Sequence, residues 1–215
     1  GKNGLRGASE ELKRRGMDFV AQVPVEKGDT DLKPHTLKLR KSKADVVLLW
    51  ATPPSAARVV GTAKAMKYSP QFMSTSTCSD FPLMMHITKG LWQGVICATM
   101  GEMPDSDLPL MKTYRDEVFG KYAAKGERWG LFFYAGIFFV EPMVEALKNA
   151  GPDLTREKFI TEMEKIKNFK GVGPTVSYKP FDVNDMYSRQ GTSQTLLVQC
   201  MEGGKAKKLT DWMDY

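Results

Sequence analysis

The side chains best able to do chemistry are three cysteines, Cys78, Cys97 and Cys200, and two histidines, His35 and His86. A thiol becomes a nucleophile when a base takes its proton and a third group orients that base. Cys78 with His86 is the nearest approach to such a pair, yet no third partner is evident, and neither G-x-S-x-G nor H-E-x-x-H occurs. The cysteines lack C-x-x-C spacing and the histidines lie far apart, so no metal site is expected. An odd count leaves at least one free thiol, and buried, inert thiols are the default reading. Cys97 and Cys200 both lie in strand-like runs and can pair only if those strands are neighbours.

The opening GKNGLRGASEELKRRG raises the question of a phosphate cradle. A dinucleotide loop needs G-x-G-x-x-G after a strand, and a P-loop needs G-x-x-x-x-G-K-[ST]. Gly1, Gly4 and Gly7 fit neither, so no cofactor is expected there. A binding chemistry is better supported further on, where Trp50, Ala51, Thr52 and Pro53 follow ADVVLLW and Ser74 to Cys78 close QFMSTSTC. In a parallel sheet such strand-end loops emerge on one edge. An indole beside hydroxyls suits a small ligand with one apolar and one polar end. A strand-end tryptophan also serves as core and Ser/Thr runs serve as turns, so both readings stay open.

Those loops must be held by a fold, and 215 residues with 42% hydrophobic content can bury a core. LFFYAGIFFV at 131–140 is too short to span a bilayer. The net charge of +6 is scattered rather than striped, and LKLRKSK at 37–43 fits the solvent face of a helix, so nucleic acid is not expected. Leu5, Ala8 and Leu12 have helical spacing up to Gly16, and MDFVAQVPV alternates like a strand. A helix over DLKPHTLKLRKSK tolerates Pro34 in its first turn, and the continuous apolar run ADVVLLW implies a strand buried on both faces. A helix over PPSAARVVGTAKAMKY, a strand at QFMSTST, a short helix around PLMMHI and a strand at GVICATM complete an alternation that implies an α/β fold, a parallel sheet flanked by helices. Three helices then follow without a strand: LPLMKTYRDEVFGKYAA, the apolar FFYAGIFFVEPMVEALKNAG with a kink or break at Pro142, and a third capped by Thr155. The tail returns to strands, with Glu202 to Lys205 as a hairpin turn.

The runs ADVVLLWATPPSAARVVGTAKAMKYSPQFMSTST, YAGIFFVEPMVEALKNAGPDLTREKF, NFKGVGPTVSYKP and LLVQCMEGGK, in this order, resemble the solute-binding proteins of branched-chain amino-acid ABC transporters. The resemblance implies a type I periplasmic binding fold in which two α/β lobes close over a solute. It also implies that the chain is incomplete, lacking most of the first lobe. Residues 1–101 and 170–215 would form the second lobe, and 102–169 the hinge crossings and helices of the first. GKNGLRG would then be the loop after an upstream strand. The implied function is extracytoplasmic binding of a small organic solute (an amino acid, amide or aromatic acid) and its delivery to a membrane permease. The alternative is a ligand-sensing receptor domain on the same fold; an enzyme is disfavoured. The location would be periplasmic, or extracellular and membrane-anchored.

Carried over by position, Thr52 stands where these binders tend to place a pocket tyrosine, and Trp129 where another aromatic lines the apolar part. The implied ligand contacts are Trp50, Ala51, Thr52, Pro53, Ser76, Thr77, Cys78 and Trp129. Ser76 replaces a glutamate that the family sets against the ligand's ammonium group, and the nearest acid is Asp80. That departure shifts weight from an α-amino acid toward another small solute. Phe132, Phe133, Phe138 and Phe139 form an apolar row that the first lobe would cover, and through which the chain would self-associate if that lobe is absent.

Overall fold

The computed structural model describes residues 1–26, 28–185 and 187–214. They divide into two compact units, Gly1–Ala98 with Leu197–Leu209, and Thr99–Leu196 with Thr210–Tyr215. In this division residues 170–196 fall in the second unit.

The first unit is an α/β layer. Helices α1 (Lys2–Arg14), α2 (Lys33–Ser42), α3 (Pro53–Ala65) and α4 (Phe81–Thr88) alternate with strands β1 (Val46–Leu49), β2 (Gln71–Ser74) and β3 (Ile96–Thr99). Later strands β4 (Gln194–Cys200) and β5 (Ala206–Lys208) complete the order β1-β2-β3-β4-β5, while β6 (Met213–Asp214) pairs the opposite end of β4. The pairs β1·β2 and β2·β3 are parallel and β4·β5 is antiparallel. The last pair is closed by the anticipated turn at Glu202–Gly204, with Gly203 at φ 69°. Ala56, Val59, Val60 and Ala63 form the inner face of α3 and are buried, as are Val47, Leu49 and Phe72. Trp92 and Cys97 are wholly buried as well.

Three expectations for this unit are corrected. The strand expected at MDFVAQVPV is absent: residues 17–25 keep an alternation, with Phe19, Ala21 and Val23 half-buried, but no described strand pairs with them. Periodicity supplies a face, whereas a strand also needs a neighbour for its N–H and C=O groups. Strand β1, which stands at the end of the sheet order, is covered on one face only rather than two; Val46 and Leu48 are 53% and 42% exposed. Finally, GKNGLRG is not a loop, because α1 already starts at Lys2.

The second unit is led by helices. The segment expected as one helix runs as α5 (Pro109–Thr113), a π-helical stretch over Tyr114–Phe119 and the short α6 (Gly120–Tyr122). Helix α7 (Leu131–Ala150) runs through Pro142 without a break, and Gly151 ends it at φ 74°. Helix α8 (Arg156–Lys165) starts from Thr155, whose hydroxyl accepts the Lys158 N–H at 3.1 Å. Met111, Leu131, Tyr134, Ala135, Phe138 and Val172 form its core, with Trp129 and Tyr114 packed against it. Of the four phenylalanines expected in an exposed row, Phe138 belongs to this core and Phe133 stacks edge-on with Phe119 at 4.8 Å. Phe132 and Phe139 remain 49% and 57% exposed. The difference follows from helical phase: positions 131, 134, 135 and 138 share the inner face, and 132 and 139 lie about a quarter-turn round from its centre.

Glu141 joins α7 to the segment after α8. It accepts the Tyr114 hydroxyl at 2.8 Å and the Val172 N–H at 3.0 Å. A Cβ on Gly171 would overlap the Glu141 carboxylate where it stands, so a larger residue there would displace that carboxylate from its partners. Burial and the nearby Glu141 carboxylate both push the Tyr114 phenol well above its usual range. Glu141→Ala is expected to lower stability by about 1–3 kcal/mol, because it strands a backbone N–H. Denaturant melts of the two proteins measure it, and Glu141→Gln should recover part of the loss.

Candidate functional site

Parallel pairing sets Leu49 opposite Ser74, so the carboxyl ends of β1 and β2 are level and both following loops leave the same edge. Two side chains stitch them together. The Ser74 hydroxyl donates to the Leu49 carbonyl at 3.0 Å, and the Cys78 thiol donates to the Ala51 carbonyl at 3.7 Å. Seven of the eight sequence-predicted contacts therefore meet at one edge of the first unit: Trp50, Ala51, Thr52, Pro53, Ser76, Thr77 and Cys78. Trp129 belongs to the second unit.

Thr52 is the extended N-cap residue of α3 (φ −68°, ψ 155°), and Pro53 and Pro54 open the helix where a missing N–H costs nothing. Its hydroxyl lies 3.3 Å from that of Ser55 rather than capping the helix, and the residue is exposed. On the neighbouring loop the Thr75 and Thr77 hydroxyls are 2.9 Å apart. The Ser76 carbonyl accepts both the N–H (3.1 Å) and the hydroxyl (2.8 Å) of Ser79, fixing the turn Ser76–Cys78. This edge thus presents hydroxyls and the positive end of a 13-residue helix, a setting for an anionic or amide group.

Trp50 is 54% exposed, and one side of its indole lies on α1 at Gly4, where any Cβ would overlap the ring. That answers the question the opening glycines raise. A glycine inside a helix costs up to about 1 kcal/mol relative to alanine, and here it admits an indole rather than a phosphate. Sequence reasoning passed over Ser55, for which the i, i+3 spacing from Thr52 was the available signal, and it weighed Gly4 only as part of a phosphate loop, since contact between Gly4 and Trp50 leaves no local signal.

Two assignments change. Cys78 is fully buried and serves as a strut between the loops, offering no surface to a ligand. Asp80, the candidate ammonium partner, is 5% exposed and caps α4, its carboxylate accepting the Leu83 N–H at 3.1 Å. Asp80→Ala is expected to cost about 1–2 kcal/mol in a thermal melt, whereas Asp80→Asn, which also caps, should cost less.

The cysteines behave as the default reading expected. Cys97 and Cys200 lie on adjacent strands, but all three thiols are free and buried. Burial pushes the Cys78 thiol up, Cys97 further, and Cys200 to about 12. A thiol held protonated and out of solvent does not alkylate. Iodoacetamide at pH 8 should label none of them in the folded protein and all of them in denaturant; rapid native labelling of Cys78 would reopen nucleophilic chemistry.

In the second unit Trp129 donates from Nε1 to the Pro104 carbonyl at 2.9 Å and packs against Phe119 and Phe133. Among the described residues no group of His, Cys, Asp and Glu is placed to hold a metal ion. A groove of about 610 Å³ runs along α7, lined in part by Leu110, Ile137, Val140 and Val144, and it shares no residue with the predicted contacts.

A family profile described as periplasmic binding protein matches residues 1–205. The chain belongs to the periplasmic binding protein family. No curated protein sequence matches it. Among solved structures it is similar to a substrate-binding periplasmic protein from Ralstonia solanacearum, at a TM-score of 0.83 and 21% identity, covering 97% of this chain and 57% of that one. A fatty acid ABC transporter substrate-binding protein from Thermomonospora curvata aligns at 0.81 and 24%, covering 98% and 54%. A branched-chain amino acid ABC transporter protein from Thermus thermophilus with bound valine aligns at 0.78 and 18%, covering 98% and 56%. The type I binding-protein fold, a mostly parallel sheet flanked by helices, is therefore this chain's fold, and the chain spans a little over half the length of these structures.

Proposed function

We propose that this member of the family takes part in binding a small organic solute for an ABC transporter permease outside the cytoplasm, without catalysing a reaction. The first unit, in this reading, is the greater part of one lobe, and the second unit is hinge and part of the other. The observation that carries it is the single edge where Trp50, Thr52, Ser76 and Thr77 stand at the ends of adjacent parallel strands. There the exposed face of the indole packs against an apolar body, and the hydroxyls with the α3 N-terminus receive a carboxylate or amide.

The exposed apolar residues of α7, Phe132, Phe139, Val140 and Met143, form the face that the rest of a two-lobed protein covers in this reading. Without such a cover, the same row drives self-association. Concentration-dependent light scattering of the 215-residue chain tests this, and Phe139→Lys should return it to a monomer. For the function itself, calorimetric titration of a two-lobed protein with small carboxylates and amides is decisive. Trp50→Ala is expected to weaken the bound solute at least tenfold, and unchanged affinity would return that indole to a packing role.

A further inference from the structure

The charge of the chain is divided unequally. The first unit carries 18 Lys and Arg against 9 Asp and Glu, and the second 13 against 16, so a basic unit is joined to a weakly acidic one. Within the first unit α2 is the most one-sided element. It contains Lys33, Lys38, Arg40 and Lys41, with Lys43 as its left-handed C-cap at φ 56°, and no acid. Thr36 is buried and His35 and Leu39 are half-buried on its inner side, leaving Lys33, Lys38, Arg40 and Lys41 exposed around Leu37, itself 39% exposed. None of these cations forms a described ion pair. The acids nearby are turned elsewhere: Asp29 lies 3.5 Å from His35, and Asp31 accepts the Lys33 backbone N–H at 2.9 Å.

Helix stability does not call for this arrangement. Basic residues complement the dipole in the last turn, as Arg40 and Lys41 do, but Lys33 stands in the first turn, where a cation is disfavoured and where the Asp31 carboxylate is bonded to the backbone N–H rather than to the ammonium. Long unpaired cations spread around one exposed leucine match a smooth anionic surface. They do not form the fixed forks that read an individual carboxylate.

We propose that the solvent face of α2 is an electrostatic docking surface for anionic phospholipid headgroups, holding the basic unit toward the membrane. The proposal builds on the reading of the chain as a transporter's binding protein, which must work at a membrane surface. It requires no ligand, so its test is separate from that reading.

The chain should cosediment with vesicles containing phosphatidylglycerol in phosphatidylcholine at low salt and be released by about 0.5 M salt, where screening is nearly complete. Each cation near such a surface contributes roughly fivefold in binding. Lys33→Ala, Lys38→Ala and Lys41→Ala together should therefore weaken partitioning on the order of 100-fold, with an unchanged thermal melt. The same number of alanines at Lys121, Lys125 and Arg128 should leave it within about threefold. Equal loss from both triple variants would show diffuse charge and overturn the proposal, as would failure of the unaltered chain to bind these vesicles at low salt. Solute titration stays informative in either case, so failed docking and a failed solute reading give different results.

Discussion

Leucine, isoleucine and valine will bind weakly or not at all to the two-lobed protein. An α-amino acid brings an ammonium group into a closed cleft, and a buried ammonium without a carboxylate costs several kcal/mol. Ser76 has a hydroxyl where a carboxylate is wanted, and Asp80 is buried as the cap of α4. Hydroxyls and the α3 N-terminus can hold a carboxylate or an amide at no such cost. Calorimetry against the three amino acids and against aromatic carboxylates measures the preference. Ser76→Glu should improve leucine binding about tenfold or more, since a charge-assisted hydrogen bond contributes about 1.5–3 kcal/mol. Micromolar or tighter affinity for leucine in the unaltered protein would refute the prediction and require an acid from elsewhere in the protein as the ammonium's partner.

Tyr134→Ala will cost the second unit about 3–5 kcal/mol, the range for removing a large aromatic from a core. Tyr134 is wholly buried, its ring lies 6.1 Å from Trp129 and 5.5 Å from Phe138, and its hydroxyl donates to the Glu102 carbonyl. Gly101 leaves room for that hydroxyl, since a Cβ there would crowd it. A loss of this size is a large part of ordinary domain stability and should lower the melting temperature on the order of 10 °C. Tyr134→Phe keeps the ring and should cost only about 1 kcal/mol. If Tyr134→Ala melts within 2 °C of the unaltered protein, Tyr134 is not the centre of this core.

Much of the fold is legible in local pattern. The alternation from α2 to β3, the Thr155 cap and the turn at Glu202–Gly204 were all expected where the structure has them. Each is set by residues a few positions apart: helical spacing of apolar side chains, a hydroxyl before a first turn, glycine where φ must be positive. The parallel order likewise placed Thr52 and Ser76 on one edge before any coordinates.

The misreadings share a different cause. MDFVAQVPV has a strand's alternation, yet whether an alternating run becomes a strand depends on a backbone beside it, which no local pattern encodes. ADVVLLW looks doubly buried because apolar runs usually are, but β1 ends the described sheet and exposes Val46 and Leu48. Tertiary packing alone turned Cys78 from a contact into a strut, buried Asp80 and set Gly4 beneath Trp50. The sequence by itself determined fold class and which two loops leave one edge of the sheet, because these follow from short-range periodicity and from the handedness of parallel crossovers. Which side chains in those loops face solvent and which are spent holding the chain was decided only in three dimensions, since burial and hydrogen-bond partnership join residues tens of positions apart.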